Sequence, residues 1–178
     1  MAGRATASIS FLQALLAHLW RAVCRARRLL PEQSTSYSVI GRVHRAGEIE
    51  KNGVGWAAWL LNRTVASFDE ARMRDFLERW VQEPAFTYTA GSPPSSSGAA
   101  LFTGSSPRFD MLGNDFVWGK PLAVRGGAGN NLDGIATVFE GSDKGGSMSL
   151  EVRLTPDVLD RLVADEEFMD AVTLPASG

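Results

Sequence analysis

With a single cysteine, Cys24, the 178-residue chain has no internal disulfide framework, so it is not one of the small stapled folds of secreted domains. A reducing compartment, the cytoplasm, is the expected location. The thiol lies inside a helical apolar pattern, which reads as core rather than nucleophile. Histidine is also scarce. His18 and His44 cannot supply a metal-ligand cluster, and no Ser/His/Asp set can be assembled around them. No apolar run reaches the ~18 residues that a membrane-crossing helix needs, so no membrane partner is expected. A net charge of −2 gives no whole-chain attraction for nucleic acid. Gly-x-Gly-x-x-Gly and Gly-Lys-Ser/Thr are both missing. The glycine-rich residues 126–134 run into a strand pattern, without the helix N-terminus that would hold a phosphate, and read as a turn.

What is present suits one folded unit. A hydrophobic content of 44% with 21% charged residues is enough to bury a core, and the length predicts a single domain over residues 1–178. Basic charge is concentrated early: Arg4, Arg21, Arg25, Arg27 and Arg28 all precede the first acid, Glu32. Together with frequent Ser and Ala this is the composition of an organellar transit peptide. The competing account is a folded helix over residues 11–28. Ser10 and Gln13 form a capping box, Leu12, Leu15, Leu16, Leu19 and Val23 recur at helical spacing, and the arginines sit where cations oppose the dipole.

Residues 37–43 read as a short strand, and residues 46–66 as a helix weakened in its first half by Gly53 and Gly55. Ser67 and Glu70 suggest a second capping box, opening a helix through Phe76, Leu77, Trp80 and Val81 that Pro84 ends. Residues 91–98, nearly all Ser, Pro and Gly, are a surface loop. Beyond them the periodicity becomes strand-like, over residues 99–103, 122–125, 135–139 and 147–154, with a hairpin connection at 143–146. Thr155 and Pro156 then open a helix through Leu162, and Phe168 and Met169 extend the helical packing. The expected class is α/β in the loose sense (α+β), a mixed and largely antiparallel sheet with flanking helices. His18 reads as a helix-face or packing residue. His44 stands four residues before Glu48, a spacing that on a helix would make a solvated pair.

The stretch Asn114-Asp115-Phe116-Val117-Trp118-Gly119-Lys120-Pro121 has the composition of a bend. It also resembles the Asp-Phe-Gly-Trp-Gly signature of plant BAHD acyltransferases, with Val117 at the first glycine. Ser8 to Ala22 is similar to the helix that opens the C-terminal half of those enzymes, and Glu48 to Trp80 to the helical region that follows. Gly104-Ser105-Ser106-Pro107-Arg108-Phe109 stands where the family often has Thr-Ser-Trp-x-Arg-Phe, with Ser106 at the tryptophan. The resemblance extends through Gly145 to Val152 and the last helix.

The resemblance implies one domain of the chloramphenicol acetyltransferase-like fold. It implies acyl-CoA as co-substrate rather than a covalently bound cofactor, a small-molecule alcohol or amine of plant secondary metabolism as acceptor, and a complementary N-terminal domain. The family's base is the histidine of His-x-x-x-Asp. Here the fourth residue after His18 is Ala22 and after His44 is Glu48, so the base is absent and no catalytic residue is assigned. The family's Pro-Pro-Leu-Pro and Tyr-Phe-Gly-Asn block is also missing before Ala46. By analogy Asp115 is a buried carboxylate paired with Arg108 or Arg125, and Phe116 and Trp118 are packing residues. Val117 strains the turn if the glycine it replaces needs positive φ, and Gly119 completes the motif. Ser8 and Ser10, with Arg4, are the candidate coenzyme contacts, with plain helix capping as their competing role.

Overall fold

The fold starts from a capped helix. In the computed structural model, which describes residues 8–37, 43–84, 99–104, 109–126, 132–141 and 146–172, helix α1 spans Phe11–Ala26. Ser10 Oγ accepts from Gln13 N while Gln13 Oε1 accepts from Ser10 N. The helix stops two residues before the predicted end. Its last carbonyl, Ala26 O, accepts from Arg161 Nε, so a side chain from a distant helix satisfies one orphan acceptor.

The strand predicted over residues 37–43 is instead two. Strand β1 (Ser34–Tyr37) and strand β2 (Val43–Arg45) pair antiparallel, and the predicted middle at 38–42 lies outside the described residues. Helix α2 occupies Ala46–Ala66 as expected, with a kink where Gly53 takes φ 78°. Helix α3 covers Glu70–Gln82. Its cap is Asp69, whose Oδ1 accepts from Arg72 N, and not Ser67, whose hydroxyl donates back to the Thr64 carbonyl at the end of α2. The serine was already inside the reach of the preceding helix.

Strands β3 (Ala100–Gly104), β4 (Ile135–Glu140) and β5 (Met148–Arg153) stand at three of the four predicted positions. The fourth, residues 122–125, forms no strand, and Leu122 is fully exposed. A strand needs an edge to pair with. The sheet order is β2-β1-β3-β4-β5, so β1, β3 and β4 are saturated on both sides, and residues 122–125 pair with neither of the open outer edges, on β2 and β5. The sheet is mixed: its two outer pairings are antiparallel, while β1 with β3 and β3 with β4 run parallel. Parallel neighbours require a long crossover, which the connections between these strands supply. The predicted surface loop at 91–98 and most of the hairpin connection at 143–146 fall outside the described residues.

Helix α4 (Pro156–Val163) opens with Pro156 at its first position, and α5 (Glu166–Met169) follows. Leu19, Trp20 and Val23 of α1, Leu61 of α2, Leu162 of α4 and Phe168 of α5 share one buried cluster with Tyr37, Leu101, Ala136 and Val138 of the sheet. Cys24 belongs to that cluster, as expected. Burial pushes its thiol up to about 11, against the opposing hydrogen bond to Thr35. Native protein is therefore expected to leave Cys24 unmodified by a thiol reagent at pH 8, with full reaction only in denaturant. Rapid labelling of the folded chain would contradict this burial.

Candidate functional site

Three of the early arginines are spent inside the fold. Arg21, 8% exposed, donates to Glu50 of α2 and Glu167 of α5 at 3.0 and 2.7 Å. Arg25 reaches Asp165 through Nε and Nη2 at 2.8 and 3.0 Å, and also Glu50 and Glu167. Arg27 donates to Asp133 at 2.7 Å and to the Ala100 carbonyl at 3.1 Å. The basic stripe thus joins α1 to α2, α5 and the turn before β4, a role that spacing along the helix could not reveal.

The Arg25 guanidinium, opposed by partial desolvation, holds the Asp165 carboxyl below the usual range. Because the folded value lies below the unfolded one, the stabilisation is complete above about pH 4 and is lost as pH falls through the folded value. Asp165→Asn is expected to cost about 2 kcal/mol at pH 7. Urea unfolding should show that gap narrowing at pH 3; a gap that does not change with pH would assign the loss to something other than this charge.

The histidines do not form an acid–base device. His18 stacks on Phe168 with ring centroids 5.3 Å apart, in the packing role predicted for it, and its Nε2 is buried with no hydrogen-bond partner among the described residues. His44 lies on β2 and meets Trp20 and Trp56 edge-on. Helical spacing to Glu48 therefore does not exist, and Glu48 Oε2 instead accepts from Arg45 N at 3.3 Å. Buried hydroxyls gather nearby. Thr35 Oγ1 accepts from Trp20 Nε1 at 2.9 Å and donates to the Ala99 carbonyl at 2.8 Å. Tyr37 and Thr103 share a hydrogen bond between the ends of β1 and β3, and burial raises the Tyr37 phenol to about 12. Nothing in the sequence pattern marked this hydroxyl pair. No group of three or more potential metal ligands occurs among the described residues.

The Asp115 motif departs from its expected environment. Asp115 is exposed, and its Oδ1 accepts from the backbone amides of Val117 and Gly119 at 2.8 and 3.1 Å. No described arginine pairs with it. Arg125 makes no ion pair among the described residues, and Arg108 lies outside them. Phe116, Val117 and Trp118 are 75, 96 and 94% exposed, so they are not packing residues of the core among the described residues. A carboxylate in water folds the turn on itself rather than seeking a buried cation, which is why the buried-pair expectation fails.

The backbone expectation holds. Val117 has φ 75°, and Gly119, with φ 98°, is the second left-handed residue of the turn. A β-branched side chain there is strained by about 1–2 kcal/mol, partly offset in a glycine variant by greater unfolded-state freedom. Val117→Gly is expected to raise stability by about 0.5–1 kcal/mol in chemical denaturation. A loss would mean that the valine side chain is held by contacts.

Of the candidate coenzyme contacts, Arg4 lies outside the described residues. Ser10 is committed to the capping box, and the Ser8 carbonyl accepts from Asn62 Nδ2 at 3.3 Å. Ser10 therefore has a structural role at the start of α1, while Ser8 is held there through its backbone carbonyl alone.

A model of the Transferase family matches residues 37–169. An uncharacterized acetyltransferase of Arabidopsis thaliana is 31% identical over 91% of this chain and 41% of its own length. The BAHD acyltransferase DCR of the same plant is 27% identical over 90% and 37%. Among solved structures, TRI101 of F. graminearum, complexed with coenzyme A and deoxynivalenol, superposes with a TM-score of 0.72 at 21% identity, over 94% of this chain and 43% of that one. The chain thus spans about two fifths of the length of the relatives it matches. By the match over residues 37–169 and the shared fold, the chain belongs to the Transferase family, the BAHD-type acyltransferases.

Proposed function

We propose that this chain is the C-terminal half of a coenzyme A-dependent acyltransferase that moves an acyl group from an acyl-CoA to a hydroxyl or amine of a plant secondary metabolite. The carrying observation is the family match over residues 37–169, in a chain that spans only about two fifths of its relatives. In the proposed reaction a base deprotonates the acceptor, whose oxygen or nitrogen attacks the thioester carbonyl, and coenzyme A leaves as the thiol. Neither histidine begins a His-x-x-x-Asp sequence, and both rings are engaged in aromatic contacts. The chain is therefore inactive alone and works in the cytoplasm with a complementary N-terminal domain that supplies the base. The exposed rings of Phe116 and Trp118 support this reading, since such rings suit a surface that another polypeptide covers. Within the proposed pair the Asp115 turn is a structural support, and Ser8, Ser10 and Arg4 are the proposed coenzyme contacts, by the family resemblance alone.

The test is calorimetric titration of the purified chain with acetyl-CoA and malonyl-CoA, with thioester release assayed in the same samples. Binding without release supports a coenzyme-holding half. Release with a panel of alcohols would contradict the missing base. Absence of both from a folded sample would favour a non-catalytic interaction module.

A further inference from the structure

The sheet has two faces, and the core helices share one of them. Tyr37, Leu101, Ala136 and Val138 belong to the buried cluster that α1, α2, α4 and α5 build, with Leu150 and Val152 packed against it. Successive strand residues point to opposite faces. The register therefore sets Ser36, Phe102, Ile135, Thr137 and Glu151 on the second face, where Phe102 lies beside Ile135 and Thr137 beside Glu151. Among the described strand residues of that face only Ala100 and Phe139 are buried, and Phe102 on the central strand is 45% exposed. Strands β1, β3 and β4 run parallel here, and parallel strands are normally covered on both faces. An exposed phenylalanine on the middle strand marks a face that is incomplete by itself.

The chemistry of the face narrows what covers it. Ser36, Gly104 and Thr137 are small neighbours around the Phe102 ring, and the three parallel strands bring no charge to this side. Glu151 and Arg153, at the border on β5, pair with each other at 2.8 Å. Both also hold Gly126, whose N–H donates to Glu151 Oε2 and whose carbonyl accepts from Arg153. These two charges are satisfied within the chain and call for no counter-ion. The polypeptide of the relatives extends well beyond this match, with the Arabidopsis acetyltransferase covered over only 41% of its length. We propose that the second face of the sheet, centred on Phe102, is the seat of that remaining part of an acyltransferase polypeptide, which meets it with an apolar, uncharged surface. This rests on the reading of the chain as one half of an enzyme.

The experiment co-expresses the full chain with the segment of the Arabidopsis acetyltransferase that lies outside the match, and measures complex formation by co-purification and light scattering. A one-to-one complex is expected. Raised salt should not weaken it, and dissociation by salt would contradict an uncharged contact. Phe102→Lys should weaken the complex at least tenfold, while Phe76→Lys, at a comparably exposed site on α3, leaves it unchanged. Phe102→Cys gives a readout that does not depend on the lysine variant folding. With Cys24 buried, a thiol reagent should label the introduced cysteine rapidly in the free chain and at least tenfold more slowly in the complex. A complex that tolerates Phe102→Lys and leaves Phe102→Cys open to the reagent overturns the seat, with the half-enzyme reading still standing. No complex between two folded partners overturns both. Wild-type self-association that Phe102→Lys abolishes assigns the face to a second copy and overturns the proposal.

Discussion

Trp20→Ala is expected to remove about 3–5 kcal/mol of stability, enough to leave much of the chain unfolded at room temperature. Trp20 is fully buried at the centre of the helix-to-sheet core and meets Tyr37 edge-on, with ring centroids 5.7 Å apart. Truncation opens a cavity between α1 and β1 that side chains on rigid elements cannot close. It also strips a hydrogen bond from Thr35, whose hydroxyl accepts from the indole Nε1. Trp20→Phe separates these two effects. It keeps most of the ring but leaves Thr35 Oγ1 without its indole donor, and should cost about 1–3 kcal/mol. Urea unfolding of both variants is the measurement. Equal losses would mean that the hydrogen bond, not the volume, dominates at this site, and a loss under 1 kcal/mol for Trp20→Ala would show that α1 does not pack on β1 as described.

Gly134→Ala carries the second large expected effect, about 2–4 kcal/mol, combining left-handed strain with overpacking. Gly134 has φ +86°, and a Cβ there would lie 2.4 Å from the Ala100 carbonyl oxygen and 2.9 Å from Arg27 Nη2. The first contact involves backbone, and that backbone is fixed, because Phe102 N donates to the Gly134 carbonyl and Gly134 N to the Arg153 carbonyl at 2.8 Å each. The second would push Arg27 off Asp133, opening a nearly buried ion pair whose arginine is 6% exposed. Gly146→Ala is the internal control. It has φ +91° but open space around the added carbon, so it should cost only the backbone strain of about 1 kcal/mol. If the two variants lose the same stability by urea unfolding, the close approach of the 133–134 turn to β3 is not what requires glycine at this position.

Ser10 with Gln13, the Leu/Trp/Val spacing of α1, and Pro156 at the start of α4 act over one or two turns, and the sequence alone placed them. The alternation of β5, the burial of Cys24 and the missing His-x-x-x-Asp were equally local facts. The strain at Val117 was expected only through the resemblance, which puts a glycine at that position, and the structure supplied the positive φ. Tertiary structure decided what depends on partners far along the chain. It left residues 122–125 unpaired, with only the outer edges of β2 and β5 open. It also decided that Arg21, Arg25 and Arg27 would meet Glu50, Asp165, Glu167 and Asp133 rather than solvent. His44 belongs to an aromatic cluster because it falls on a strand over α1, not on a helix beside Glu48. The exposure of Asp115, Phe116 and Trp118 has the same origin: whether a ring is buried depends on which surfaces come together, which local sequence does not encode.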